Sequence, residues 1–169
     1  MNIELKFVCI VAGLMAGLGG CGTSPSTPTP VANAPTPDRD NSAKTLKIAS
    51  ELNAQLQAFA AAAKLENRKP FVQFTAAWCG PCRELKASMN DPLMVEAFAN
   101  TSIIQINTDD YNEQQLKAAG FALQGIPAFH ELDDAGKPTG RWVDGGAWDD
   151  NIPRNMAPVL QKFFRNEKS

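Results

Sequence analysis

The residues that most constrain this chain are Trp78-Cys79-Gly80-Pro81-Cys82. They follow Phe71-Val72-Gln73-Phe74-Thr75, a short run rich in β-formers, and open a segment of helical character from Cys79 to Met89. Two cysteines separated by two residues, placed where a strand gives way to a helix, read as a redox dithiol. The sulfurs can meet when the first stands at the helix N-terminus and the second lies one turn further in. Unpaired backbone N–H groups and the positive end of the helix dipole favour a thiolate on Cys79 there. Cys82 is expected to be more buried and less ionised, ready to attack a mixed disulfide formed by Cys79. Pro81 lacks an N–H and fixes φ, which suits a first helical turn.

Composition removes several competing classes. The chain has 169 residues, with Lys+Arg 16 against Asp+Glu 18, and its bases are spread along its length. A nucleic-acid protein concentrates its positive charge on one face, so nucleic acid is not an expected partner. Four cysteines and one histidine are too few for a disulfide-stapled miniprotein or a multi-zinc module. A structural zinc ion needs four ligands, and Cys79, Cys82 and His130 fall short, so no metal is expected. Metal binding and an inert structural disulfide are the alternatives to a redox dithiol.

Two of the four cysteines sit near the N-terminus. Phe7 to Leu18 is a nearly uninterrupted apolar run after a start carrying Lys6, the pattern of a secretory signal. It is shorter than the roughly 20 residues that span a bilayer core. It ends in Leu18-Gly19-Gly20-Cys21, which resembles the lipobox of bacterial lipoproteins. That resemblance implies cleavage before Cys21 and acylation of its sulfur, palmitate included, while Cys9 leaves with the signal. An ordinary signal peptide with an incidental cysteine is the other reading. Residues 22–42 hold five of the twelve prolines and no aromatic residue. Such a segment buries too little apolar surface to offset its ordering entropy. As an extended tether of about 3.1 Å per residue it reaches roughly 65 Å. The expected organisation is therefore signal 1–20, lipidated cysteine and tether 21–42, and one folded domain 43–169.

Within that domain Leu46, Ile48, Ala49, Leu52, Leu56, Phe59, Ala60 and Ala63 recur at three- and four-residue intervals, an amphipathic helix. Ser42 is its expected cap, and Asn67-Arg68-Lys69-Pro70 closes it. Strands are expected at 71–75, 102–107, 127–132 and 139–143. Helices are expected at 79–89, from Pro92 with Asp91 as cap, at 112–119, and from Asp149 onward. Pro158 is expected to kink or divide the last of these. The order is α-β-α-β-α-β-β-α: parallel strands joined by helices, then a hairpin around residues 133–138.

The segment Phe71 through Cys82 resembles the active-site segment of thioredoxins, and the similarity runs from about Arg68 to Phe164. Gly125-Ile126-Pro127 resembles the family's cis-proline loop beside the dithiol. The resemblance implies an α/β thioredoxin fold, a central mixed sheet of about four strands flanked by helices, here with an extra N-terminal helix. It implies catalytic Cys79 and Cys82. It also implies a substrate-binding role for Trp78, Gly80, Pro81, Ile126 and Pro127, whose backbone pairs with an extended substrate segment. No cofactor is implied, because the electrons reside in the dithiol. Lys69-Pro70-Phe71 and Ser88-Met89-Asn90-Asp91-Pro92 further resemble the C-terminal thioredoxin-like domain of the periplasmic thiol-disulfide interchange protein of the DsbD type. The 45 positions from Cys82 to Pro127 leave no room for the large helical insertion of the periplasmic oxidase DsbA, which favours a reductase or isomerase.

The chain departs from the family at two places. Thioredoxins carry a buried Asp six positions before the first cysteine and a Lys beside it on the next strand; here these places hold Gln73 and Gln105. Losing both members of a charged pair is consistent, since losing one leaves an unpaired buried charge. The carboxylate is the family's proton acceptor for the second cysteine, and a Gln cannot take that proton. The acid that the DsbD-type domain has seven positions after its first cysteine is here Lys86. Water or Glu84 as acceptor, or slow deprotonation of Cys82, are the remaining explanations.

Other residues invite blander readings. Arg83 and Lys86 are either a solvated helix face or electrostatic support for the Cys79 thiolate. His130 is expected on a strand surface, and Trp142 and Trp148 in packing. Gly145-Gly146 resembles the family's glycine at the substrate-facing rim, with a simple turn as the alternative. Asp109-Asp110 and Asp133-Asp134 are expected as solvated loop charges. The expected protein is a monomeric thiol-disulfide oxidoreductase of the bacterial envelope, lipid-anchored and facing the periplasm or exterior. It would act on protein thiols and disulfides and draw electrons from a membrane donor of the DsbD or CcdA type. The alternatives are a non-enzymatic envelope binding module, redox-inert or copper-holding, and, among enzymes, an oxidase or isomerase.

Overall fold

A central four-stranded sheet in the order β2-β1-β3-β4 organises the domain. The computed structural model describes residues 39–167; the expected signal and most of the expected tether, with Cys9 and Cys21, lie outside them. The elements are α1 (Arg39–Leu65), β1 (Lys69–Thr75), α2 (Gly80–Ser88), α3 (Pro92–Ala97), β2 (Thr101–Asn107), α4 (Glu113–Ala118), β3 (Ala128–Leu132), β4 (Pro138–Asp144) and α5 (Pro153–Arg165). β1 runs parallel to β2 and antiparallel to β3, which pairs antiparallel with β4. This is the thioredoxin fold, a mixed sheet flanked by helices, with the extra N-terminal helix. Among the described residues no helix is long and apolar enough to cross a membrane.

Alternation along β1 divides the core. Val72 and Phe74 face Ala49, Leu52 and Leu56 of α1 and Leu116 of α4. Phe71 faces Leu85, Met94, Met156, Leu160 and Phe164 on α2, α3 and α5. A strand buried on both faces reads as a continuous apolar run, and Phe71, Val72 and Phe74 are fully buried. Gln73 shares the parity of Phe71 and lies on the α2 face, 5% exposed. Burying its amide is tolerable only with a polar partner, and β2 supplies one.

Helix ends follow local chemistry. Asn67, at φ 55°, reverses the chain after α1 while Arg68 N–H donates to Ala63 O at 2.9 Å, a left-handed C-terminal cap. Asp91 caps α3 by accepting from Leu93 N–H. Asn112 and Gln115 form a reciprocal capping box on α4, satisfying two orphan donors at once. The β3–β4 turn lies against α1: at Gly136, φ +75°, an added Cβ would stand 2.5 Å from the backbone nitrogen of Gln57.

Two local expectations are corrected. α1 begins at Arg39, so Ser42 lies in its first turn and is not its cap. α5 runs undivided through Pro158. Pro158 has no N–H to donate to the Arg154 carbonyl, and both residues lie on the exposed side of the helix. Met156, Ala157, Leu160 and Phe164 meanwhile bury both halves of the helix against the sheet.

Candidate active site

The strand-to-helix passage after β1 brings the two cysteines together. Cys79 is the N-cap of α2, with φ −72° and ψ 111°, and Pro81 occupies the first turn. Cys82 follows one turn in, and the two are joined in a disulfide with Cα atoms 5.3 Å apart. The Cys82 backbone N–H donates to Cys79 Sγ at 3.1 Å. After reduction the same donor would meet a Cys79 thiolate, supported by the end of the helix dipole. Gly80 adds no side chain; a Cβ there would only touch the tip of Arg83 at 4.0 Å.

Cys79 and Cys82 are 3% and 4% exposed. The expectation that Cys82 is the more buried is thus corrected. Ile126 packs over the pair, and its carbonyl oxygen lies 3.6 Å from Cys79 Sγ. A disulfide sulfur has no proton to donate, so this is a contact; a Cys79 thiol would have an acceptor there. The Ile126–Pro127 bond is cis. Pro127 O accepts from Gly145 N–H at 2.9 Å, and a Cβ on Gly145 would approach Pro127 Cδ to 3.3 Å. Gly145 therefore lets the turn after β4 close on the proline loop. Gly146 N–H donates to the Asp144 carboxylate.

Trp78 stands 67% exposed beside the dithiol. Its Nε1 donates to Asp109 Oδ1 at 2.8 Å, so Asp109, expected as a solvated loop charge, holds the indole. Asn107 Oδ1 accepts from Asp109 N–H, a short turn that keeps the carboxylate at the end of β2. A carboxylate two residues past a strand-ending Asn was the available signal, but nothing in sequence spacing ties it to Trp78.

Beside the disulfide a cleft of about 360 Å³ is lined by Gln73, Thr75, Cys82, Arg83, Lys86, Gln105 and Asn107. Gln73 and Gln105 are register partners on β1 and β2, and Gln105 Nε2 donates to Gln73 Oε1 at 3.0 Å. A neutral amide pair thus takes the place of an acid–base pair. Glu84 does not line the cleft; its Oε2 accepts from Asn151 Nδ2 at 2.8 Å, and Asn151 Oδ1 accepts from Trp148 Nε1. Arg83 Nη1 donates to Ala77 O at 2.9 Å.

His130 is buried, 4% exposed, which corrects its expected place on a strand surface. Phe74 and Phe121 meet it edge-on, and Trp142 stacks at 6.1 Å between centroids. Burial pushes its pKa down to about 4, against a weaker upward pull from Asp144, and Nε2 has no hydrogen-bond partner. Trp148 is buried and Trp142 39% exposed, both in packing. Asp133 caps its own turn through Ala135 and Lys137 N–H, and Asp134 pairs with Lys64 at 2.6 Å. Among the described residues no cluster of three or more His, Cys, Asp or Glu is placed to hold a metal ion.

The family model described as Thioredoxin matches residues 50–157, more than half of the chain. The chain belongs to the thioredoxin family. Thioredoxin H2-2 of Oryza sativa subsp. japonica is 31% identical over 90 residues, which span 53% of this chain and 61% of that protein. Thioredoxin H1 of Arabidopsis thaliana is 33% identical over 89 residues, 53% of this chain and 71% of that thioredoxin. Thioredoxin 1 of Chlorobaculum tepidum is 38% identical over 59 residues, 54% of its length. Among solved structures, the disulphide isomerase from Xylella fastidiosa Temecula1 aligns over 80% of this chain and 98% of its own, with TM-score 0.49 and 23% identity. The fold and the Cys79–Cys82 disulfide are those of this family, and a neutral pair, buried Gln73 and exposed Gln105, stands beside them.

Proposed function

We propose that this thioredoxin is a thiol-disulfide oxidoreductase that reduces protein disulfides in the bacterial envelope. The observation that carries the reading is the Cys82 N–H aimed at Cys79 Sγ, beside the Ile126 carbonyl at the proline loop. A Cys79 thiolate attacks one sulfur of a substrate disulfide, forming a mixed disulfide and releasing the other substrate sulfur as a thiolate. The Cys82 thiolate then attacks Cys79 Sγ, closing the Cys79–Cys82 bond and releasing the second substrate thiolate. Two electrons pass from the dithiol to the substrate, and no cofactor takes part. Trp78, Gly80, Pro81, Ile126 and Pro127 form the face on which an extended substrate segment pairs.

The envelope location rests on the apolar run Phe7 to Leu18 and on the Leu18-Gly19-Gly20-Cys21 sequence. In this reading Cys21 is acylated, residues 22–38, ahead of α1, give reach, and a membrane donor of the DsbD or CcdA type returns electrons. The reaction is tested by insulin-disulfide reduction. The wild type reduces insulin, Cys79→Ser abolishes turnover, and Cys82→Ser accumulates covalent adducts with partner proteins. Retained turnover in Cys79→Ser overturns the reading. A reduction potential near about −270 mV fits a reductase, and one near about −120 mV an oxidant. Cys21→Ser is expected to lose lipid labelling and release the protein from membranes.

A further inference from the structure

The Cys82 thiol must lose a proton to resolve the mixed disulfide, and among the described residues no Asp, Glu or His lines the cleft beside it. Gln73 and Gln105 are occupied with each other, and an amide does not accept a proton near neutral pH. Glu84 is bound by Asn151 and Asp109 by Trp78, and neither lines the cleft into which Cys82 opens. That cleft is instead lined by Lys86 and Arg83 and by the neutral polar groups of Thr75, Asn107 and the two glutamines. Among the described residues neither Lys86 nor Arg83 is engaged in an ion pair. Two uncompensated cations over a polar floor make a receptor for a small anion. At about 360 Å³ the space holds a carboxylate with room for water.

We infer that the cleft beside Cys82 is a subsite for a mobile carboxylate, which serves as the proton acceptor that its own lining lacks. The inference rests on the oxidoreductase reading and deepens it. The carboxylate takes the proton from Cys82 Sγ; the Cys82 thiolate attacks Cys79 Sγ; the Cys79–substrate S–S bond breaks as the Cys79–Cys82 bond forms. The substrate sulfur leaves as a thiolate and the carboxylic acid returns its proton to solvent. The carboxylate comes either from a free solute or from an acidic side chain of the bound substrate.

The test is stopped-flow mixing of the reduced full chain with a peptide disulfide at fixed pH and ionic strength, over a series of acetate concentrations. The first phase, dependent on peptide concentration, reads attack by Cys79; the second, independent of it, reads resolution by Cys82. For a peptide without acidic residues, acetate is expected to raise the second phase by about threefold or more and leave the first unchanged, as general-base catalysis requires. A peptide with Glu beside its cysteine, compared with its Gln counterpart, speeds the second phase without acetate if the substrate supplies the group. Lys86→Glu, at an exposed position on the cleft wall, ties a carboxylate in place, so its second phase is fast and flat in acetate. A second phase that neither acetate nor the Glu peptide accelerates overturns the inference and leaves the oxidoreductase reading standing. Absence of the first phase defeats that reading itself.

Discussion

The indole Nε1 of Trp78 donates to Asp109 Oδ1 at 2.8 Å, linking the residue before the first cysteine to the turn that follows β2. Trp78 is otherwise 67% exposed, so this bond fixes a large apolar surface beside the disulfide. Pre-set aromatic surface lowers the ordering cost of binding an extended partner.

Asp109→Ala is therefore expected to raise KM for a protein disulfide by about fivefold, the loss of roughly 1 kcal/mol of positioning, with kcat unchanged. Reduction of a small aromatic disulfide, which does not need the indole, should not change. Urea unfolding should shift by under about 1 kcal/mol, because the bond is solvent-exposed. Equal losses on both substrates would mean that Asp109 acts on the dithiol and not on Trp78.

The Gln73–Gln105 pair predicts a thermodynamic cycle. Gln73→Asp places a carboxylate at a position 5% exposed, with neutral Gln105 as its register partner and Lys86 and Arg83 on the same cleft, and is expected to cost about 1–3 kcal/mol near pH 7. Adding Gln105→Lys should recover much of that loss, giving a coupling energy of about 1–3 kcal/mol in urea unfolding. Gln73→Asp should also speed mixed-disulfide resolution in single-turnover kinetics. Additive effects of the two substitutions on stability would show that the side chains do not interact.

His130 gives the domain a defined acid response. Its pKa is about 4 in the fold against 6.5 in the open chain, through burial. Between these values the unfolded chain binds the extra proton, so stability falls as pH drops from about 6.5 to about 4 and levels off below. The contribution is about 2–3 kcal/mol over that window. His130→Phe, which keeps an aromatic ring among Phe74, Phe121 and Trp142, should remove this part of the slope. Denaturant midpoints at pH 7 and pH 4.5 measure it; an unchanged slope would assign the acid response to other groups.

Gly136 and Gly140 separate steric from conformational cost. Both have positive φ, +75° and +87°; a Cβ on Gly136 would meet Gln57 backbone at 2.5 Å, whereas at Gly140 nothing lies within 4 Å. Gly140→Ala should cost about 1–2 kcal/mol, the left-handed penalty alone. Gly136→Ala adds a backbone clash against α1 and should cost about 3–5 kcal/mol. Thermal unfolding of the pair checks the order, and equal costs would mean that the turn moves off α1 at little expense.

What sequence alone revealed follows a physical boundary. Cys79, Pro81 and Cys82 are set by local chemistry, and the Asp91 cap by three consecutive residues, so both are legible. Gln73 and Gln105 are legible as partners only through the resemblance to thioredoxins, which carry an acid and a base at those places; the register of β1 on β2 pairs them. His130 is not, because alternation assigns a side to each residue of β3 but does not say that α1 and Phe121 cover that side. The equal burial of Cys79 and Cys82 depends on Ile126, 47 residues away along the chain. The Trp78–Asp109 bond spans 31 positions and has no local signal. Pro158 illustrates the opposite case: apolar packing on both sides of it keeps α5 undivided.

The segment by which the chain is related to thioredoxins, residues 50–157, is narrower than its hydrophobic core. Ala49 lies before it, and Leu160 and Phe164 after it, all nearly inaccessible; the Phe164 ring meets Phe71, Phe98 and Phe129. Boundaries drawn by ancestry therefore cut through α1 and α5 and leave the sheet uncovered at both ends. The portable unit, the one that recombination or a fusion must carry whole, includes α1 from Ala49 onward and extends to Arg165.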